Sequence, residues 1–307
     1  ISLRTRSISH YWRTQRSAIL FWCHAKLIPF GTGKTSLPRY KRKISLVGLL
    51  IFLFFIICGI FGPYLTPYDP YKTDYSNRYE LPNNQNLFGT DWAGRDVLSR
   101  ILVGAGITLK ISILALCIGS LVGGILGIII GFMKNNLLKM LVIQFNDIFL
   151  TFPFLVLAIL ITALLGPSLN NAIIAIGISR IPRYIRIFYV VVNSEKNKNY
   201  IISAISLGAS NMRILFYHIL PNILPIFLVN TVLFFALTII AEATLSFIGI
   251  GAQPPLPSWG LMIRQASENM LVYPFGVLPP SIAILLVVLS ANLMSDGLRE
   301  FLDPKLR

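Results

Sequence analysis

Negative charge is scarce in this chain. Only 12 Asp and Glu stand against 27 Lys and Arg in 307 residues, and charged residues of both signs make up 13%. So few charges cannot cover a water-soluble globule of this size. Cysteine and histidine are also thin: Cys23, Cys58 and Cys117 have no CxxC spacing, and His10, His24 and His218 are scattered, which excludes a clustered metal site. No GxSxG or HExxH signature is present, so the familiar nucleophile and zinc-protease patterns are missing. Gly31-Thr-Gly-Lys-Thr35 looks like the end of a phosphate-binding loop, but the glycine required five positions before Gly33 is Ile28. Pro38 and the basic cluster 41–43 follow where that geometry needs a helix, which excludes nucleotide binding there. No cofactor and no metal is expected.

What the chain has instead is apolar length, with 55% hydrophobic residues. A hydrocarbon core of about 30 Å needs about 20 apolar residues as helix. Six segments qualify as candidates: 44–61, 111–133, 141–165, 172–192, 223–247 and 275–294. An all-α polytopic membrane protein of about six spans is therefore predicted. The first run, 18 residues long, exceeds the apolar core of a secretory signal and reads as an uncleaved anchor.

Loop charges orient the chain. Residues 1–43 carry ten Lys/Arg and no acid, which places them in the cytoplasm by the positive-inside rule. Segment 62–100, with four basic and five acidic residues, comes out external. The loops around 134–139 and 193–222, and the end of the chain, come out cytoplasmic. The expected organisation is a basic tail 1–43, an anchor 44–66, an external segment 67–100, a transmembrane domain 101–300 with a cytoplasmic loop 194–222, and a tail 301–307. Attraction to anionic lipid, about 1 kcal/mol per basic residue near the surface, accounts for the tail, and nothing supports a nucleic-acid partner.

Particular residues carry further expectations. Gly119, Gly123, Gly127 and Gly131 recur every four residues, on one face of a helix, where small residues let backbones approach in lipid. The contact is either within the chain or with a partner. Residues 97–110, apolar at helical intervals with Arg100 and Lys110, suit an amphipathic helix at the outer interface or a surface helix leading into the second span. Arg180, Arg183 and Arg186 form a stripe expected to emerge from a short fourth span toward the cytoplasm and to snorkel there, with contact to a partner or the substrate as the alternative. Asp147 and Glu242 lie near span ends, without a neighbouring acid or histidine in their own spans, and are expected to anchor loops or helix ends rather than to relay protons.

The most informative stretch is Ala204-Ile-Ser-Leu-Gly-Ala-Ser-Asn-Met-Arg-Ile-Leu-Phe-Tyr-His-Ile-Leu-Pro-Asn222, which reads as the end of a small-residue helix, a glycine and a second helix ending in Leu-Pro. It resembles the cytoplasmic coupling loop of binding-protein-dependent ABC importer permeases, through Ala204, Gly208, Ile219, Leu220 and Pro221. The family's usual glutamate and first alanine fall on Ile202 and Ser203, and a frequent arginine on Ile205. Phe88-Gly-Thr-Asp-x-x-Gly-Arg-Asp-Val-Leu-Ser-Arg100, Leu165-Gly-Pro-Ser-Leu169, Glu242-Ala-x-Leu-Ser-Phe-Ile-Gly-x-Gly251, Gln253-Pro-Pro-x-Pro-Ser-Trp-Gly260 and Asp296-Gly-Leu-Arg-x-x-Leu-Asp-Pro304 are similar to the dipeptide/oligopeptide/nickel branch. Within it, the chain resembles the C-type subunit. An arginine often found three residues before Asp147 is Gln144 here.

That resemblance implies a MetI-like type I importer core, with half of the pathway for peptides or a related solute built by this chain. It implies as partners a second permease, two cytoplasmic ATPases that carry ATP hydrolysis, and an external solute-binding protein, all at a bacterial inner membrane. Ser203, Ala204, Leu207, Gly208, Ala209 and Ser210 would seat a short helix, 203–216, in an ATPase groove, with Pro221 stopping it before the fifth span. Gly89, Thr90, Asp91, Gly94, Arg95 and Asp96, with Gln253, Pro254, Pro255, Pro257, Ser258, Trp259 and Gly260, would supply external packing or binding-protein contacts. Nickel chelates and glutathione-like compounds are alternative cargoes. A secondary transporter is the competing class, but no inverted repeat and no intramembrane acid cluster favour it. A membrane enzyme would need a convergent nucleophile, metal set or acid pair.

Overall fold

The structure, a computed structural model, describes residues 39–302, with side chains from Ser45 to Leu302. The basic tail up to residue 38, with Cys23, His10, His24 and the Gly31–Thr35 stretch, and the tail 303–307 lie outside the described residues. Among the described residues the named elements are helical. They run α1 (Arg39–Leu65), α2 (Val97–Phe132), α3 (Asn136–Thr151), α4 (Phe154–Leu165), α5 (Leu169–Glu195), α6 (Asn199–Ser206), α7 (Leu220–Ile248), α8 (Trp259–Ser267) and α9 (Leu278–Leu302).

Apolar length dictates these helices, because in lipid each backbone N–H and C=O must be satisfied inside its own segment. Four stretches, Ser45–Leu65, Val97–Phe132, Asn211–Ile248 and Pro274–Leu302, are long and apolar enough to span a bilayer. α3 and α4 meet at 86° across Phe152 and Pro153 and make a fifth if they form one broken span. α5 is 27 residues long, but Arg180, Arg183 and Arg186 set it apart from the apolar class. The count is thus four or five by composition, against the six segments read from the sequence, and the difference lies in α5 and in the α3–α4 break.

Two expectations change. Residues 97–110 are not a separate interfacial helix: as in the other reading they lead into the second span, being the first turns of a single 36-residue helix, α2. Asp96 caps it, its carboxylate accepting from the Ser99 N–H at 2.8 Å. Gly104 lies within it, and the space a Cβ would need there is taken by the Pro257 carbonyl and the Trp259 ring. A boundary at 100/101 therefore falls inside a helix. Nor does the arginine stripe emerge from a short span: Arg180 is buried midway along α5 and only Arg183 is exposed, because α5 continues for four more turns to Glu195.

α2 and α5 make the most extensive interface, with α9 packed on both α1 and α7. The four-residue glycine row lies in the α2–α5 seam. A Cβ on Gly119 would come within 2.7 Å of Arg180 Cβ, on Gly123 within 2.7 Å of the Ile181 carbonyl, on Gly127 within 2.7 Å of the Ile185 carbonyl and on Gly131 within 2.6 Å of Val192. At one end of the bundle Trp259 is fully buried. Its ring stands edge-on to Phe55 at 5.6 Å, and its indole N–H donates to the Ile101 carbonyl at 3.1 Å. One side chain thus ties together α1, α2 and α8.

Candidate functional site

The loop 196–219 is built from two short pieces around Gly208. α6 ends at Ser206, and its last carbonyls are taken by backbone N–H groups beyond the end. Gly208 donates to the Ile205 carbonyl at 2.9 Å and Ala209 to the Ala204 carbonyl at 3.0 Å. This pair of bonds needs a left-handed residue between them, and Gly208 supplies it at φ +83°. Ser210 then caps the next helix, its hydroxyl accepting from the Arg213 N–H. The loop is thus helix, glycine and helix, and the one helix expected over 203–216 is broken at Gly208.

The second piece, Asn211–Arg213, runs through a π-helical turn, Ile214–Ile219, directly into α7. Pro221 does not stop it. Proline has no N–H to give, and it stands at the start of α7 just after the wide turn, where Leu220 donates back to the Leu215 carbonyl. The result is continuous helix from Asn211 to Ile248.

Burial sorts the loop into anchors and a face. Ile201, Ile214 and Ile219 sit in the core, and Ala209 and Leu220 pack against it. Facing outward are Ile202, Ile205, Met212 and Phe216, with Leu207 89% and Tyr217 78% exposed. Ser203, Gly208, Ser210 and Pro221 are exposed, and Ala204 is half-buried. The Ser203 and Ser206 hydroxyls donate to the Asn199 and Ile202 carbonyls, so their polarity is satisfied within α6. Around this apolar face stand Lys198, paired with Glu195 at 2.7 Å, and Lys196, which donates to the Gly131 carbonyl at 2.8 Å. The Tyr200 hydroxyl donates to Glu195 and accepts from Asn222 at 3.1 Å. Burial pushes that hydroxyl up to about 12, and the bond to Glu195 acts in the same direction.

At the opposite end the two sequence motifs meet as a cap. The Asp91 carboxylate accepts from the Ala93 N–H at 2.8 Å and from Arg95 Nε at 2.8 Å, and pairs with Arg100 at 3.4 Å. Arg100 also donates to the Pro70 carbonyl at 3.0 Å. Gly89, Thr90, Arg95 and Asp96 are buried, Gly94 is half-buried, and so are Pro257, Ser258, Trp259 and Gly260 buried against α2 and α7. Gln253 is half-buried, with its amide N–H donating to the Gly249 and Gly251 carbonyls, and Pro254 and Pro255 are exposed. Most of these residues build the cap, and its open parts are Trp92 and the two prolines. Glu242, buried beneath it, accepts from the Ser246 hydroxyl at 2.9 Å, which in turn accepts from the Ala252 N–H at 3.0 Å. It anchors the turn after α7.

Two residues were visible in the sequence, but their partners were not. Asp147 pairs at 3.4 Å with Arg186 of α5, which lies 39 residues further along the chain and in another helix. Arg180 lies over the rings of Phe154 and Phe234, at 3.7 and 5.5 Å from their centroids. Among the described residues no group of three His, Cys, Asp or Glu is placed to hold a metal.

Comparison with known proteins follows these lines. Residues 123–307 match the family model described as binding-protein-dependent transport system inner membrane component. Residues 40–85 match the N-terminal TM domain of oligopeptide transport permease C. The chain is 41% identical over 267 residues to the dipeptide transport system permease protein DppC of Alkalihalophilus pseudofirmus, covering 87% of this chain and 88% of that protein. It is 38% identical over 272 residues to the di/tripeptide transport system permease protein DppC of Pseudomonas aeruginosa, covering 87% and 89%. It is 36% identical over 268 residues to the glutathione transport system permease protein GsiD of Pectobacterium atrosepticum, covering 87% and 89%.

Proposed function

The chain belongs to the binding-protein-dependent transport system inner membrane components, and on that premise we propose that it forms half of the pathway of an ATP-driven peptide importer. It is a multi-pass inner-membrane transport subunit and not an enzyme. The other half would come from a second permease, the energy from two cytoplasmic ATPases, and the cargo from an external solute-binding protein. Peptide is the favoured cargo because the relatives at 41% and 38% identity are named for dipeptides and for di- and tripeptides.

The observation that carries the ATPase contact is the outward apolar face of Ile202, Ile205, Leu207, Met212, Phe216 and Tyr217, held on buried isoleucines. Water solvates such a face poorly, and a groove on a partner covers it. The loop end is then cytoplasmic, the cap end external and the end of the chain cytoplasmic, in keeping with the basic residues at the loop end. Coupling follows from the continuous helix. When the ATPases close, the loop shifts, and the continuous helix from Asn211 to Ile248, with its wide turn at Ile214–Ile219 and Pro225 inside it, carries that shift to the cap end. The exposed parts of the cap, Trp92 with Pro254 and Pro255, are where the binding protein would touch.

Affinity purification of the chain from its native membrane, followed by reconstitution, tests this. A second permease and two ATPases should co-purify, and vesicles given the binding protein should take up a dipeptide only with ATP. Glutathione, suggested by the relatives named for it, is run beside the dipeptide in the same assay. Purification of the chain alone, with uptake that ignores ATP, would return the secondary-transporter class.

A further inference from the structure

The break between α3 and α4 lies at half depth in the bundle. Along α5, Lys139 bonds Asn193 near one end, Asp147 pairs with Arg186, and Phe154 lies under Arg180 near the middle. α4 is 12 residues long and starts at that break. Its N-cap, Pro153, provides no side-chain hydrogen bond, so no side chain caps the first N–H groups at the positive end of the helix dipole.

Arg180 is an independent second observation. It is 3% exposed, its guanidinium lies 3.7 Å from the ring of Phe154, the first residue of α4, and its Nε and Nη2 have no hydrogen-bond partner among the described residues. Aromatic faces offset part of the cost of a buried cation but accept no N–H···O bond. An unpaired arginine inside a membrane protein is expensive to keep, and such residues mark solute pathways. The other arginines of the stripe do not share this state, since Arg186 has Asp147 and Arg183 is exposed.

A guanidinium with free donors beside a helix start that no side chain caps is an anion site, and broken helices at mid-bilayer receive anionic substrate groups in this way. A carboxylate matches the planar fork in shape and charge. Resting on the peptide-import reading, we propose that Arg180 and the N-terminus of α4 form a station at half depth in the pathway that binds the C-terminal carboxylate of the peptide in transit. The Phe234 ring of α7 also lies 5.5 Å from Arg180, so the helix that leads from the coupling loop reaches the station.

The test uses the whole complex in proteoliposomes with saturating binding protein, and compares uptake of a dipeptide with that of its C-terminal amide. Arg180→Gln should lower uptake of the free acid about tenfold, the loss of one charge-assisted contact, while leaving the amide unchanged. Arg180→Lys, which keeps the charge but not the fork, should give an acid-to-amide ratio between the two. Equal loss for both peptides, or no loss, overturns the station. Where Arg180→Gln does not assemble, an Arg180→Lys ratio equal to wild type overturns it as well. A free-acid defect that vanishes in purely zwitterionic vesicles assigns the anion to a lipid headgroup and also overturns it. If wild type hydrolyses ATP in response to binding protein yet imports neither peptide, the peptide reading falls separately. Thermal unfolding in acetate then decides the anion site: stabilisation of wild type but not of Arg180→Gln retains it, and no stabilisation removes it.

Discussion

Gly208 is the residue on which the loop turns, and its role is conformational rather than steric. At φ +83° it ends α6, yet a Cβ there would meet nothing within 4 Å of the chain. Gly208→Ala should therefore cost only about 1 kcal/mol of left-handed strain and leave partner association intact. Gly208→Trp should insert and fold but lose co-purification of the ATPases, because the space its side chain needs is space the partner would occupy. Retention of the ATPases by the Trp variant would count against the docking face. Tyr200 offers a second check. A free tyrosine ionises near 10, and this one is raised to about 12, so its contact with Glu195 contributes fully below about pH 10 and is lost as pH rises through about 12. A fluorophore at Ser206→Cys, with the native cysteines replaced, should report an unchanged loop from pH 7 to about 10 and a shift above it. In Tyr200→Phe the shift should be present already at pH 7.

Among the helices, the α2–α5 seam is the contact with least tolerance. Gly123 would place a Cβ 2.7 Å from both the Ile181 carbonyl and Tyr184 Cβ, atoms that cannot move without moving α5. Gly123→Leu should destabilise by about 1–3 kcal/mol through overpacking, read as a lowered melting temperature of the purified complex. Gly124 is a fair control. Its nearest neighbour is the outer edge of the Phe188 ring at 3.1 Å, which can tilt, so Gly124→Ala should change stability by less than about 1 kcal/mol. The seam's spacing was legible in the sequence, since four glycines at four-residue intervals share a face. Its partner was not, because spacing along one helix carries no information about which helix lies opposite. The break in the loop was legible as well, since a glycine stands between two helix-compatible pieces, and the φ of Gly208 with the two backbone bonds shows how it is made.

For the molecule as a whole, the two ends of the bundle differ in kind, one closed by a buried polar cap and the other showing an apolar loop face. Thiol labelling checks the proposed orientation. In intact cells Leu271→Cys, fully exposed at the cap end, should react with a membrane-impermeant maleimide, and Leu207→Cys should react only after permeabilisation. The reverse pattern would invert the assignment of the ends and remove the coupling loop from the ATPase side. The all-helical class, the placing of α1, α2, α7 and α9 and the position of the loops were settled by composition and order, because apolar length answers to bilayer thickness and Gly and Pro act on their own backbone. Tertiary packing alone decided that α2 is one helix from Val97, that Pro221 lies within continuous helix, that Asp147 meets Arg186, and that Arg180 is buried while Arg183 is not. Those outcomes depend on which atoms fill the space opposite each residue, and atoms brought together from distant parts of the chain leave no local trace in it.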